Sequence, residues 1–220
     1  QSRVLEEALL REGIPYRIYG GQRFYERLEI RNALAYLRLV QTRDDDPALE
    51  RVLNTPPRGI GSKTVEKIRE VARAEQIPMW RAIHRTREQS LLPARALTAL
   101  GNFQALIADL DRSSETLPLD ELTEHVIEVS GLLDYHRSEK GERGQARVEN
   151  LQELVTATRL FEPEDEEISP LQAFLDSAAL DAGEGQADPY EDSIQMMTLH
   201  SAKGLEFPLV FIAGMEENLF

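Results

Sequence analysis

The chain has 220 residues, a formal net charge of −14 and no cysteine. That length can bury a substantial core, as one domain or as one domain plus pieces of another. The lack of cysteine excludes disulfide frameworks and thiolate zinc sites and suits a reducing cytoplasm, and four histidines without metal-ligand spacing argue against a metal site.

In chain order, Val4, Leu5, Ala8 and Leu9 fall on one helical face, and Gly13 and Pro15 stop that helix. The segment YRIYGG reads as a short strand running into a glycine turn. A long amphipathic helix is expected over about 26–41, with Ile30, Ala33, Leu34, Leu37 and Val40 at helical spacing. Pro47 suits the first turn of the next helix, capped by Asp45 or Asp46. The loop NTPPRGIGSKT opens a further helix through VEKIREVARAE, and helices are expected over 79–87, 94–111, 119–129 and 147–161. After the charged loop EPEDEEISP come a short helix LQAFLDSAAL and the linker-like DAGEGQADPYED. Strand-like SIQMMTLHS and PLVFIAGM then flank a glycine-containing turn. The expected fold is mainly α, with strand-like pieces near both ends. This layout suggests a helical insertion carried by a sheet-containing domain. No apolar run is long enough to cross a bilayer, and QSRVLEEALLREG is not a signal peptide; the expectation is a soluble cytoplasmic protein with no membrane contact.

The charge is unevenly spread. Residues 161–192 hold eleven Asp or Glu and no Lys or Arg, whereas residues 58–95 hold nine Lys or Arg against four Glu. A basic module carrying an acidic segment can still meet phosphate despite the overall sign.

Four stretches are candidates for function. RGIGSKT, residues 58–64, lacks the Gly-Lys step of an ATP loop because Ser62 stands between Gly61 and Lys63. A Gly-Ile-Gly turn opening a helix at Ser62 instead leaves free backbone N–H groups, which favour an anion. Arg58, Lys63 and Lys67 would surround that anion with charge, and such a loop would grip a duplex backbone without reading its sequence; a serine-capped helix–helix turn is the plainer reading. Arg23, Arg27 and Arg31 recur every four residues and could line a helix edge, with Glu26 and Glu29 as ion-pair partners. Lys140, Arg143 and Arg147 approach a helix start near Gln145, where a solvated loop competes with phosphate contact. In MTLHSAKGLEF, Thr198 and His200 would share one side of a strand, with Lys203, Gly204 and Glu206 in the turn beyond; a strand–turn–strand with an incidental histidine is the alternative.

MTLHSAKGLEFPLVFIAGMEE closely resembles motif V of superfamily 1 DNA helicases of the UvrD/Rep/PcrA group. The N-terminal forty residues, NTPPRGIGSKT and GERGQARVENLQELV follow in the order that family shows, so the resemblance covers essentially the whole chain. It implies a helical accessory domain, termed 2B, over 18–190, inserted in an α/β RecA-like motor domain, 2A, whose flanks are 1–17 and 191–220. By the same resemblance, Gly59, Ile60, Gly61 and Thr64 contact duplex DNA, Thr198 and His200 contact single-stranded DNA, and Gly204 and Glu206 face nucleotide. The intact enzyme would be a bacterial, ATP- and Mg²⁺-dependent 3′-to-5′ helicase in DNA repair, acting at a duplex–single-strand junction.

The chain holds no G-x-x-x-x-G-K-[ST] loop, no strand ending in the paired acids that hold Mg²⁺, and not the family's final arginine motif. Asp44–Asp46 cannot substitute, because no apolar strand precedes them. The expectation is therefore no ATP hydrolysis or unwinding, and no bound cofactor or metal, for this polypeptide by itself. A competing reading of another class is a module whose acidic segment recruits repair or transcription proteins with little affinity for DNA.

Overall fold

A computed structural model describes residues 2–19, 22–163, 167–183 and 192–214. The chain divides into two compact units: residues 28–177, and residues 1–27 together with 178–220. The first is continuous in sequence and lies between the two segments of the second.

The two-segment unit begins with α1 (Ser2–Arg11), whose buried residues are charged, while Val4 and Leu5 of the expected apolar face stand exposed. Arg3 and Glu6 are buried; Arg3 pairs with Glu7 at 2.7 Å, and Glu6 accepts a hydrogen bond from the Phe24 amide at 3.2 Å. β1 (Tyr16–Tyr19) pairs in parallel with β2 (Ile194–Met197), Tyr16 opposite Ile194 and Tyr19 opposite Met197. A parallel pair needs a crossover connection, and here the crossover contains the whole 28–177 unit. A 3₁₀ turn at Phe24–Glu26 follows β1, and Arg27 is extended (φ −60°, ψ 141°), so the next helix starts at Leu28. Arg23 and Arg27 therefore precede that helix and do not line its edge with Arg31. The Arg23 guanidinium is buried, pairs with Glu26 at 3.5 Å and donates to the Ala182 carbonyl at 2.7 Å.

The continuous unit is all helix among its described residues. Its centre is α2 (Leu28–Gln41), whose Ile30, Ala33, Leu34, Leu37 and Val40 are all buried, as the helical spacing requires. Around it stand α3 (Asp46–Val52), α4 (Ser62–Glu75), α5 (Met79–Glu88), α6 (Ala94–Ser114), α7 (Leu119–Val129), α8 (Leu132–Arg137) and α9 (Glu142–Arg159); α2 packs directly against α3, α6, α7 and α9. Asp45 is the cap of α3, its carboxylate accepting from the Ala48 amide at 2.9 Å with Pro47 in the first turn. The division between the units falls inside α10 (Pro170–Gly183).

Four features differ from the sequence reading. α8 has no counterpart in the sequence reading, and α9 begins at Glu142 rather than Arg147. The SIQMMTLHS strand ends at Met197: the Thr198 hydroxyl accepts from the Ser201 amide at 3.2 Å and opens a helical turn, α11 (Leu199–Ala202). PLVFIAGM forms no strand as far as Gly214, because no described segment pairs with it, and Leu209, Val210, Phe211 and Ile212 stand exposed.

Candidate nucleic-acid interface

The loop between α3 and α4 is built around one side chain. The Asn54 carbonyl oxygen accepts from the Arg58 amide at 2.7 Å and the Ile60 amide at 3.2 Å. Tyr36, fully buried in α2, donates its hydroxyl to the Thr55 carbonyl at 2.6 Å, and burial pushes its phenol up to about 12. Ile60 is 1% exposed, so the middle of Gly-Ile-Gly is the hydrophobic plug of the loop. Gly59 has φ +76°, a left-handed conformation that only glycine adopts cheaply. Gly61 is the N-cap of α4 and supplies no side chain; its carbonyl accepts from the Thr64 and Val65 amides.

These bonds determine what remains. The N–H groups of Gly59, Gly61, Ser62 and Lys63 have no acceptor among the described residues, and all four residues are exposed. They lie at the positive end of a 14-residue helix, which carries about half an elementary charge. Lys63 is exposed with no ion pair among the described residues, whereas Lys67, one turn on, pairs with Glu70 at 3.0 Å. Thr64 is buried beneath the helix start.

Arg58 occupies a different place from the one expected of a phosphate-gripping cation. Its guanidinium donates to the carbonyls of Val52 (3.3 Å), Pro56 (3.0 Å) and Ser130 (2.6 Å). It also lies 5.7 Å from the ring centres of Tyr36 and Phe103. It ties the loop to the α7–α8 turn, where Gly131 has φ +80°.

The basic stretch 58–95 is partly neutralised in pairs. Arg69 is bidentate on Glu50 at 2.5 and 2.8 Å, which holds the Glu50 carboxyl below its usual range against the opposing effect of burial. Arg85 pairs with Glu75 and Glu88, and Arg81 with Asp44.

The third candidate separates into exposed Lys140 and Arg143 and a largely buried Arg147. Arg147 joins Glu139 at 2.5 Å and Glu29 at 3.7 Å, while Glu139 also meets the ring nitrogen Nδ1 of fully buried His136 at 2.8 Å. Burial works to raise the Glu139 carboxyl, but the hydrogen bonds from His136 and Arg147 outweigh it and leave it below its ordinary value. This network holds the α8–α9 turn and answers the structural question posed by Arg147 rather than a ligand's.

In the two-segment unit, Thr198 is exposed at the start of α11, and His200 lies within that helix, so the two do not share a strand face. Gly204 (φ +84°) turns the chain after α11, and Lys203, Gly204 and Glu206 are exposed. Among the described residues, no three His, Asp or Glu side chains are placed to hold a metal ion, and no helix is long and apolar enough to cross a membrane.

The model for the UvrD-like helicase C-terminal domain matches residues 1–220. The chain belongs to that family. It is 56% identical to DNA helicase II of Escherichia coli (strain K12), over all of this chain and 31% of that protein. It is 55% identical to DNA helicase II of Haemophilus influenzae, and 41% identical to the ATP-dependent DNA helicase PcrA of Bacillus subtilis, each over all of this chain and 30% of the relative. The chain thus spans about a third of the length of the curated relatives it matches. Asn54, Tyr36 and Ser130 were not singled out in this UvrD-like chain from sequence. An Asn directly before a Pro- and Gly-rich helix entrance is a turn signal of the kind that could have marked the first.

Proposed function

We propose that this chain is the part of an ATP-dependent, 3′-to-5′ DNA helicase that contacts duplex DNA through the loop from Gly59 to Lys63, with Lys67 beside it. In this reading the 28–177 unit is the core of the helical 2B accessory domain. The two-segment unit is then a portion of the 2A motor domain. The observation that carries it is the set of four outward N–H groups at a helix N-terminus beside Lys63, in a chain whose relatives are named DNA helicases. A phosphate oxygen is the natural acceptor for such a set, and backbone donors suit a grip that is indifferent to base sequence. The accessory unit would act on the motor by holding the duplex at the junction with single-stranded DNA, in the service of DNA repair in a bacterial cytoplasm.

Thr198 and His200 are assigned to single-stranded DNA, and Gly204 and Glu206 to the nucleotide side, on motif resemblance. Gly204 and Glu206 do not by themselves fit ATP or Mg²⁺, since they stand on an exposed turn with no acidic cluster among the described residues. By itself this polypeptide is expected to be inactive as an ATPase and helicase.

A titration of hairpin duplex DNA against the full chain at several salt concentrations tests the reading. Lys63→Glu with Lys67→Glu should weaken binding and flatten its salt dependence by up to about two units of slope. Unchanged affinity would leave the interaction-module reading in possession. That second reading draws on an open, acidic groove of about 490 Å³ lined by Asp120, Glu121, Glu124 and Glu128, with His125 and Arg159; repair or transcription proteins would be its partners.

A further inference from the structure

We propose that Asn54 and Arg58 are positioning residues, which shape the Gly59–Lys63 backbone for an anion without touching the anion themselves. The inference rests on the reading of this loop as a phosphate grip and changes which of its residues do what.

Six backbone N–H groups lie between Arg58 and Lys63, and Asn54 takes two of them, those of Arg58 and Ile60. Its single acceptor oxygen bridges alternate residues, so it draws the 58 and 60 amides inward. The amides of Gly59, Gly61, Ser62 and Lys63 are left without an acceptor among the described residues. Ile60, buried at the same place, prevents the loop from rolling over and exchanging the two sets. Asn54 is exposed and also carries an NH2 group, so the assignment rests on its oxygen, which the Arg58 and Ile60 amides engage. Oxygen would in any case repel the anion.

Arg58 performs the second part of the task. A guanidinium presents donors in a fixed planar fork, and this fork reaches three carbonyls from three places in the chain: the end of α3, the loop itself and the α7–α8 turn. The contact with Ser130, at 2.6 Å, joins residues 72 positions apart. Lysine keeps the charge and has three donors, but they radiate from one nitrogen and do not reproduce the planar two-nitrogen fork that spans Val52, Pro56 and Ser130. The loop's position relative to α7 thus depends on the shape of this side chain, and its charge is held against carbonyl oxygens and two aromatic faces.

Salt dependence separates positioning from contact. A residue that neutralises a phosphate contributes to the slope of log affinity against log salt, by about one unit each. A residue that only orients backbone donors does not. The experiment measures hairpin duplex binding of the full chain across salt for the parent, Asn54→Ala, Asn54→Asp, Arg58→Lys, Arg58→Ala and Lys63→Ala. Amide exchange at residues 58–63 and the thermal midpoint are recorded for each.

Asn54→Ala and Arg58→Ala should each lower affinity about tenfold, the worth of one charge-assisted hydrogen bond, with the salt slope unchanged. Arg58→Lys should lose nearly as much as Arg58→Ala. Asn54→Ala should also lose exchange protection at Arg58 and Ile60, while Asn54→Asp, which keeps an acceptor there, should retain it. Lys63→Ala should reduce the slope. A slope lowered by about one unit in Arg58→Ala, or full affinity in Arg58→Lys, would overturn the assignment for Arg58. Unchanged affinity in Asn54→Ala despite lost protection would overturn that for Asn54. If instead the parent shows no salt-dependent duplex binding, the phosphate-grip reading fails, and the exchange pattern still reports whether Asn54 shapes the loop. Equal protection in Asn54→Ala and the parent overturns that too.

Discussion

Gly144, in the first turns of α9, offers a test that pits local propensity against packing. A Cβ added there would lie 2.9 Å from the His136 carbonyl oxygen and closer still to that of Glu139. Both atoms are backbone, in a turn whose Glu139 side chain is held by His136 and Arg147, so neither can rotate aside. Alanine gains about 1 kcal/mol over glycine from helix propensity. Overpacking costs about 1–3 kcal/mol, and an unyielding backbone neighbour places this site at the upper end. Gly144→Ala should therefore destabilise by about 2 kcal/mol net, equivalent to about 4–8 °C in a chain of this size.

Thermal and urea unfolding followed by circular dichroism would measure it. Gly101→Ala in α6 is the control, because its Cβ would meet only the guanidinium end of Arg87, at 2.8 Å. That side chain is exposed and can shift, at the cost of its 2.6 Å hydrogen bond to Gln104 Oε1, so the variant should lose less stability than Gly144→Ala. A Gly144→Ala protein as stable as the parent would refute the reasoning, as would equal losses in both variants.

Asp45→Ala should cost about 1 kcal/mol through loss of the α3 cap, while Asp45→Asn, which still accepts from the Ala48 amide, should recover most of it. Recovery would assign the effect to the cap rather than to the distant 3.9 Å pairing with Arg38. Because the folded Glu139 carboxyl lies below its ordinary value, its contribution is fully present above about pH 4.3 and is lost as pH falls through the lower folded value. Glu139→Gln should lower stability at neutral pH and flatten the fall in stability in that acid window, measured by urea unfolding from pH 6 to pH 3. A parent whose stability rises on acidification there would contradict the network's role.

The helices were readable where one face is apolar over several turns, as in α2, α4, α6 and α7. The start of α9 was not, because Gly141 and Gly144 look like loop residues. Gly144 is glycine for a tertiary reason, the carbonyls of the preceding turn, which no local pattern carries. α8 is a six-residue helix defined by burial of Leu132 and His136 against its neighbours, and its periodicity is too short to read. The Pro- and Gly-rich loop was recognisable as a helix entrance from Gly61 and Ser62. What each residue does there was not, since Arg58 is set apart from Lys63 by its carbonyl and aromatic partners, of which Phe103 and Ser130 lie far away in sequence. At Thr198 the β-rich composition competed with the hydroxyl's capacity to cap, and the cap won.

In the proposed function, the amides of Gly59, Gly61, Ser62 and Lys63 hold a duplex phosphate. Residue-level amide exchange on the full chain, with and without a hairpin duplex, addresses those four groups directly. They should exchange fast in the free protein and slow down on adding duplex, while Arg58 and Ile60, already bonded to Asn54, should change little. Duplex binding that protects other amides and leaves these four exchanging at their free rate would contradict it.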